Sequence, residues 1–190
     1  MTEKTVILLD LDGTIVDSFA SVKAAIVKTL GRLACPVPPG LDNVQEVGQL
    51  LPVAVKSLPP SVSFSSFKQE YDSVLRADPL AGVSVPKDIP VLLDLLKDEN
   101  GLVVLTNKRQ EVAEAICQAL FPAGTFLHVI GRTSTVPLKP DGPIAEELRQ
   151  RDISLYAVRL LIGDSDEDRK TAFRLGVEYA DVQEYLQKLQ

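Results

Sequence analysis

Val6-Ile7-Leu8-Leu9-Asp10-Leu11-Asp12-Gly13-Thr14 decides the fold of this chain. Four consecutive apolar residues that break into two acids, a glycine and a threonine have the length and ending of a strand buried on both faces. Strands of that kind belong to parallel sheets. This one delivers Asp10 to the carboxyl edge of the sheet. Ligands of open α/β sheets bind in the crevice outside that edge, so the position suits a reacting carboxylate.

The pattern recurs along the chain. Leu102-Val103-Val104-Leu105 ends in Thr106-Asn107-Lys108, and Phe126 to Ile130 leads into a polar loop carrying Lys139. A further strand, Tyr156 to Ile162, runs through Gly163 into Asp164, with Asp168 four residues on. Turns are polar in general, so any one of these endings is ordinary punctuation. Three strands and a loop bringing acids, a hydroxyl and an ammonium to one edge make a constellation.

Helical spacing fills the intervals. Asp17 or Ser18 caps a helix with Phe19, Val22, Ile26 and Leu30 on one face and Gly31 at its stop. After the Pro36–Gly40 loop a short helical piece begins near Asn43 and breaks between Gly48 and Pro52. Ser65 or Ser66 then opens a helix carrying Phe67, Tyr71, Val74 and Leu75. A parallel crossover needs only one helix here, so this stretch is an inserted subdomain. Beyond it the spacing predicts helices over Pro86–Lys97, Arg109–Leu120, from Pro143, and Asp166–Leu175. Val177–Tyr179 reads as a short strand, and Asp181 caps a last helix with Val182, Tyr185, Leu186 and Leu189. Alternating strands and helices call for right-handed crossovers and a sheet covered on both faces.

With 190 residues, 45% of them hydrophobic, the chain suffices for one domain with a modest insertion. Its 26 acids against 20 bases, a net charge of −6, argue against nucleic-acid and anionic-membrane partners. The apolar N-terminal run is too short for a signal peptide. The longest uncharged stretch, Ala115 to Gly131, is broken by Gln118, Pro122, Gly124 and His128, so no membrane span is expected. Cys35 and Cys117 lack metal-site spacing and read as free thiols of a reducing compartment. The expectation is a soluble cytoplasmic protein, monomer or homodimer.

The four motifs, in this order, resemble those of the haloacid dehalogenase superfamily, in particular its phosphatase branch and the phosphoglycolate phosphatase group. They are Asp10-Leu11-Asp12-Gly13-Thr14, Thr106-Asn107, Lys139-Pro140, and Gly163-Asp164-Ser165-Asp166-Glu167-Asp168. The resemblance covers almost the whole chain and is weakest from about Phe19 to Gly82. It implies an α/β fold: a Rossmann-like parallel sheet core with helices on both faces and an inserted all-helical cap. The core would comprise residues 1–16 and 83–190, and the cap residues 17–82. A passive side lobe is the alternative to a closing cap.

Phosphoryl transfer to a carboxylate needs an in-line nucleophile, positive charge for the equatorial oxygens and a proton donor for the leaving oxygen. Asp10 is the natural nucleophile. The resemblance assigns Asp12 the general acid, then the base that activates water. Several acids around a phosphate dianion need a hard cation, which suits Mg²⁺. By resemblance its ligands are the Asp10 carboxylate, the Asp12 backbone carbonyl and the Asp164 carboxylate. Asp168 supports the site by orienting a metal-bound water or pairing with Lys139. Lys139, the Thr106 hydroxyl and the Asn107 backbone N–H bind the phosphoryl oxygens.

Pro140 would seat the next helix, whose N-terminus adds positive potential. Asp166 and Glu167 read as solvent-facing helix starters, and His128 as a structural residue of a buried strand. Lys108 and Arg109 either line the substrate entrance or begin a helix. The substrate class expected is a small phosphorylated metabolite, with a phosphoglucomutase-like transferase and a catalytically silent regulatory module as the other readings. Gly48-Gln49-Leu50-Leu51, where the family's cap helps choose the substrate, offers no charge that names one.

Overall fold

A computed structural model describes residues 5–134 and 137–188. The first four and last two residues of the expected core segments, Leu189 among them, lie outside the described residues. Five parallel strands form one sheet in the order β3-β2-β1-β4-β5: β1 Thr5–Leu9, β2 Asn100–Arg109, β3 His128–Arg132, β4 Val158–Gly163 and β5 Glu178–Asp181. The chain builds outward on one side through β2 and β3, then returns past β1 to β4. That reversal opens a crevice at the carboxyl ends of β1 and β4, the usual ligand position in such sheets.

Alternation along β1 sorts the two faces. Ile7 and Leu9 join Leu102, Val104 and Ile162 in one apolar cluster, while Val6 and Leu8 join Val103, Leu105, Val158 and Leu161 in another. The second cluster is covered by α6 Ile144–Arg149 and α7 Asp166–Leu175, through Ile144, Leu148 and Ala172. The first takes α4 Ile89–Lys97 and α5 Gln110–Leu120, and α8 Val182–Lys188 through Val182.

Three further helices lie between β1 and α4: α1 Phe19–Arg32, α2 Val47–Lys56 and α3 Phe64–Ala77. Their buried Val22, Ile26, Leu50, Phe67 and Tyr71 belong to the same cluster as the first sheet face. The inserted block therefore shares a core with the sheet. Where the chain enters and leaves it, Asp17 and Ser84 exchange two backbone hydrogen bonds of 2.8 and 2.9 Å.

Several boundaries differ from the sequence reading. The expected break between Gly48 and Pro52 does not occur, because α2 runs through both. A proline inside a helix costs roughly 3 kcal/mol, and burial of Leu50 and Ala54, with Leu51 and Val53 packed alongside, offsets it. α1 continues past Gly31 to Arg32, and α3 starts before Ser65, capped by Ser63, whose hydroxyl accepts from Ser66 N–H at 3.0 Å. α4 begins three residues after Pro86 and α5 one residue after Arg109.

β2 continues past Leu105 to Arg109, where it pairs with Arg132 after a register shift. β3 starts at His128, so Phe126 and Leu127 precede it, and His128 is half-buried on an edge strand rather than enclosed. β4 starts at Val158, leaving Tyr156 fully in solvent, and β5 sits one to two residues later than expected. No described helix is long and apolar enough to cross a membrane.

Candidate active site

The edge of β1 and β4 gathers the predicted acids. Asp10 follows β1 directly, its backbone N–H donating to Ile162 C=O of β4 at 2.9 Å, so the sheet ladder itself fixes the residue. Gly13 lies at φ +81°, and a Cβ there would land on the Asp164 carboxylate. The glycine is thus what lets β4's acid close against the β1 loop. Thr14 Oγ1 donates to Asp164 Oδ1 at 3.5 Å. Gly163 does the same for Asp168, whose carboxyl group occupies the space a Cβ would take.

Lys139 is the hub of the site. Its ammonium, almost fully buried, lies 2.7 Å from Asp10 Oδ1 and 2.5 Å from Asp168 Oδ1. Asp168 spends its other oxygen on Ser165, accepting from the backbone N–H at 3.2 Å and from the hydroxyl, while Ser165 Oγ accepts from Asp168 N–H. This reciprocal pair caps α7. With both oxygens engaged, Asp168 supports the site by pairing Lys139. It lies within the carboxylate group Asp10, Asp164 and Asp168, whose ligand atoms are within 4.8 Å of one another.

Electrostatics follow from the crowding. Burial, opposed by Lys139 but reinforced by the Asp168 and Asp164 charges, raises Asp10 well above its ordinary pKa. Asp164 keeps residue surface in solvent, yet its carboxylate sits against Gly13; lost hydration, then the Asp168 charge, lift it to about 6. Burial works against the charged form of Lys139, but Asp10 and Asp168 outweigh it, and the ammonium stays protonated beyond the usual lysine range. Two raised acids beside a third, all presenting oxygen, are a fit for a hard divalent cation.

The second motif does more than expected. Thr106 Oγ1 accepts from Lys108 N–H at 3.1 Å, which leaves the hydroxyl its proton to donate. The Asn107 side chain clamps the Lys139 backbone in both directions: Lys139 N–H donates to Oδ1 at 2.7 Å, and Nδ2 donates to Lys139 C=O at 3.0 Å. Nδ2 also donates to Glu167 Oε2 at 2.9 Å, so Glu167, exposed in the first turn of α7 as expected, in addition ties α7 to β2. Pro140 does not seat a helix, since α6 begins four residues later at Ile144. Asp166 is exposed as expected.

Of the two undecided bases, the structure separates one from the other. Lys108 is buried, with its ammonium 2.9 Å from Asp12 Oδ1. Arg109 instead turns to Glu111 at the start of α5. Three residues escaped the sequence reading altogether. Arg132, at the end of β3, donates to Asn107 C=O at 2.8 Å, to Ser134 C=O and to the Asp72 carboxylate of α3; Lys68, one turn before Asp72, stands 3.5 Å from the same oxygen. The available signal was the Lys68/Asp72 spacing of four, each next to a buried-face residue, Phe67 or Tyr71.

Known proteins resemble this chain in sequence and in fold. The family model "Haloacid dehalogenase-like hydrolase" matches residues 7–182. A phosphoglycolate phosphatase of Aquifex aeolicus is 30% identical over 183 residues, 92% of this chain and 83% of its own. One from Rhodospirillum rubrum is 28% identical over 184 residues, 90% and 76% respectively. Among solved structures, a haloacid dehalogenase-like family hydrolase from Streptococcus pneumoniae superposes with a TM-score of 0.74 at 23% identity, covering 100% of this chain and 92% of its own. A predicted phosphoglycolate phosphatase from Haemophilus somnus gives 0.72 at 21% identity, with both chains fully covered. The motif order, the sheet topology and the matched span together make this chain a member of the haloacid dehalogenase-like hydrolases.

Proposed function

We propose that the chain is a Mg²⁺-dependent phosphatase of small phosphomonoesters, phosphoglycolate-phosphatase-like, working through an aspartyl-phosphate on Asp10. The observation that carries this reading is the Lys139 ammonium held against Asp10 and Asp168, with Asp12 two residues away on Lys108. An Asp10 oxygen attacks phosphorus while the bond to the ester oxygen breaks, and protonated Asp12 gives its proton to that oxygen. Asp12, now a carboxylate, takes a proton from water. The water oxygen attacks the phosphorus, the bond to Asp10 breaks, and inorganic phosphate leaves.

Lys139, the Thr106 hydroxyl and the Asn107 N–H serve the phosphoryl oxygens in this scheme. Asp10, Asp164 and the Asp12 backbone carbonyl would hold the cation, which when bound offsets the negative charge of the phosphoryl group and the surrounding acids. Residues 17–82 act as a cap over the edge, and residues 1–16 and 83–190 as the core. The paired backbone bonds of Asp17 and Ser84, with Gly82 at φ +69°, support a hinge there. Free, buried Cys35 and Cys117 support a reducing compartment.

The test is phosphate release from a set of small phosphorylated acids and alcohols with Mg²⁺, in the wild type and in Asp10→Asn. Turnover in the variant is expected to fall on the order of 10⁴-fold or more with the circular dichroism spectrum unchanged. Near-wild-type activity in Asp10→Asn would remove the nucleophile assignment.

A further inference from the structure

Beside the phosphoryl site, under α3, lies a second group of buried charges that the reaction above does not use. Lys68, Asp72 and Arg132 are 7%, 3% and 3% exposed, and Lys108, also 7%, adjoins them, since Arg132 donates to the C=O of the preceding Asn107 at 2.8 Å. Arg132 is fully engaged with two backbone carbonyls and Asp72, so it is a strut between β3 and the inserted block. Asp72 must then serve two cations with one oxygen, and Lys68 is the farther, at 3.5 Å. The Lys68 ammonium otherwise rests 4.7 Å above the Tyr71 ring. Lys108 has one carboxylate, Asp12.

Among the described residues, three buried cations thus face two carboxylates, and counting both carboxylates as charged in the substrate-free site leaves one positive charge unmatched. A buried ammonium is costly unless an anion and hydrogen bonds compensate it. We infer that Lys68 of α3 and Lys108 of β2 bind a second anionic group of the substrate, a carboxylate close to the phosphate ester, and that Lys68 is the residue that selects for it. The inference rests on the phosphatase reading for the identity of the first group. Lys108 sits one carboxylate away from the phosphoryl site, so the two anionic groups of the ligand are separated by only a few bonds. A single unmatched charge calls for a monoanion; a second phosphate would overfill it. Burial, then Arg132, pull the Lys68 pKa down to about 8, with Asp72 restoring only part, in keeping with an amine short of negative partners.

The experiment is calorimetric titration of the turnover-deficient Asp10→Asn protein with Mg²⁺, using 2-phosphoglycolate, 2-hydroxyethyl phosphate and ethane-1,2-diyl bisphosphate. It is repeated with Lys68→Met or Lys68→Gln added, and with Lys68→Arg. Either neutral variant is expected to lose on the order of 10–100-fold affinity for 2-phosphoglycolate and its preference over 2-hydroxyethyl phosphate; Lys68→Arg keeps most of both. In the otherwise wild-type chain the ratio of kcat/KM for the two esters falls likewise. Equal weakening of both esters would show a structural role and overturn the inference, as would unchanged 2-phosphoglycolate binding. A larger Lys68-dependent gain for the bisphosphate would overturn the carboxylate. If no ester releases phosphate even in the wild type, the phosphatase reading falls, and the calorimetric preference still decides this inference.

Discussion

The carboxyl edge of the sheet and the junction under α3 both bury charges, and they partner them to different degrees. At the edge, Lys139 has two acids, Asp168 has Lys139 and Ser165, and the Lys139 backbone is gripped by Asn107 from both sides. At the junction, one oxygen of Asp72 answers Arg132 and Lys68 together, and Lys108 has Asp12. Over-determined groups are rigid and ready for a reaction whose charge pattern never changes. Under-partnered groups keep part of their interaction free for a ligand, and so are suited to choosing one.

Three measurements would break or sharpen that contrast, beginning with the largest effect. Asp12→Asn removes the proton donor at the point where edge and junction meet, and turnover should fall on the order of 10²–10⁴-fold. Mg²⁺ affinity, read by calorimetry, should persist, because the metal contact assigned to Asp12 is its backbone carbonyl. Fast residual chemistry with collapsed metal affinity would reverse the two roles.

Next comes Asp72→Ala, which strands Arg132 and Lys68 in a buried setting. Removing one partner of such a pair costs about 3–5 kcal/mol, to be read from the urea midpoint. A loss below about 1 kcal/mol would mean the junction behaves like a hydrated surface pair.

The smallest effect concerns pH. Asp164 rises from 3.8 to about 6 on folding, so the folded state binds more protons across that interval. By linkage this term makes the metal-free protein less stable as pH rises through it, with Asp10 adding to the trend in the same direction. A divalent cation competes with those protons. At pH 8 and a hundredfold excess over Kd, Mg²⁺ should raise Tm by about 5–10 °C, and the gain should shrink as pH falls through 6. A pH-independent gain would locate the cation elsewhere.

The edge was legible in the sequence because strand period and turn chemistry are local signals. Val6 to Leu9 alternates between the two apolar clusters, and Asp10, Asp164 and Lys139 arrive where the strands end. The junction was not legible for a matching reason. Asp72 and Arg132 are 60 residues apart in sequence and meet only because α3 joins the apolar cluster of the first sheet face. Lys108 directly follows a motif that could be read, yet nothing local says whether its side chain turns to solvent or to Asp12. The α2 break failed on the same ground: Pro52 is a local signal, and burial of Leu50 and Ala54 is a tertiary one that outweighs it. In the second motif, Asn107 was recognised by position, but the grip of its side chain on the Lys139 backbone requires two segments to meet.

Asp168 closes the N-terminus of α7 with Ser165 and at the same time neutralises Lys139. A copy of this chain that had drifted out of catalysis would still need that residue to start its helix and to keep a buried amine satisfied. Its survival in a degenerate relative would report folding, not turnover. Asp12 also pairs a buried ammonium, that of Lys108, but caps no helix, so it is the residue whose loss would first betray a silenced descendant.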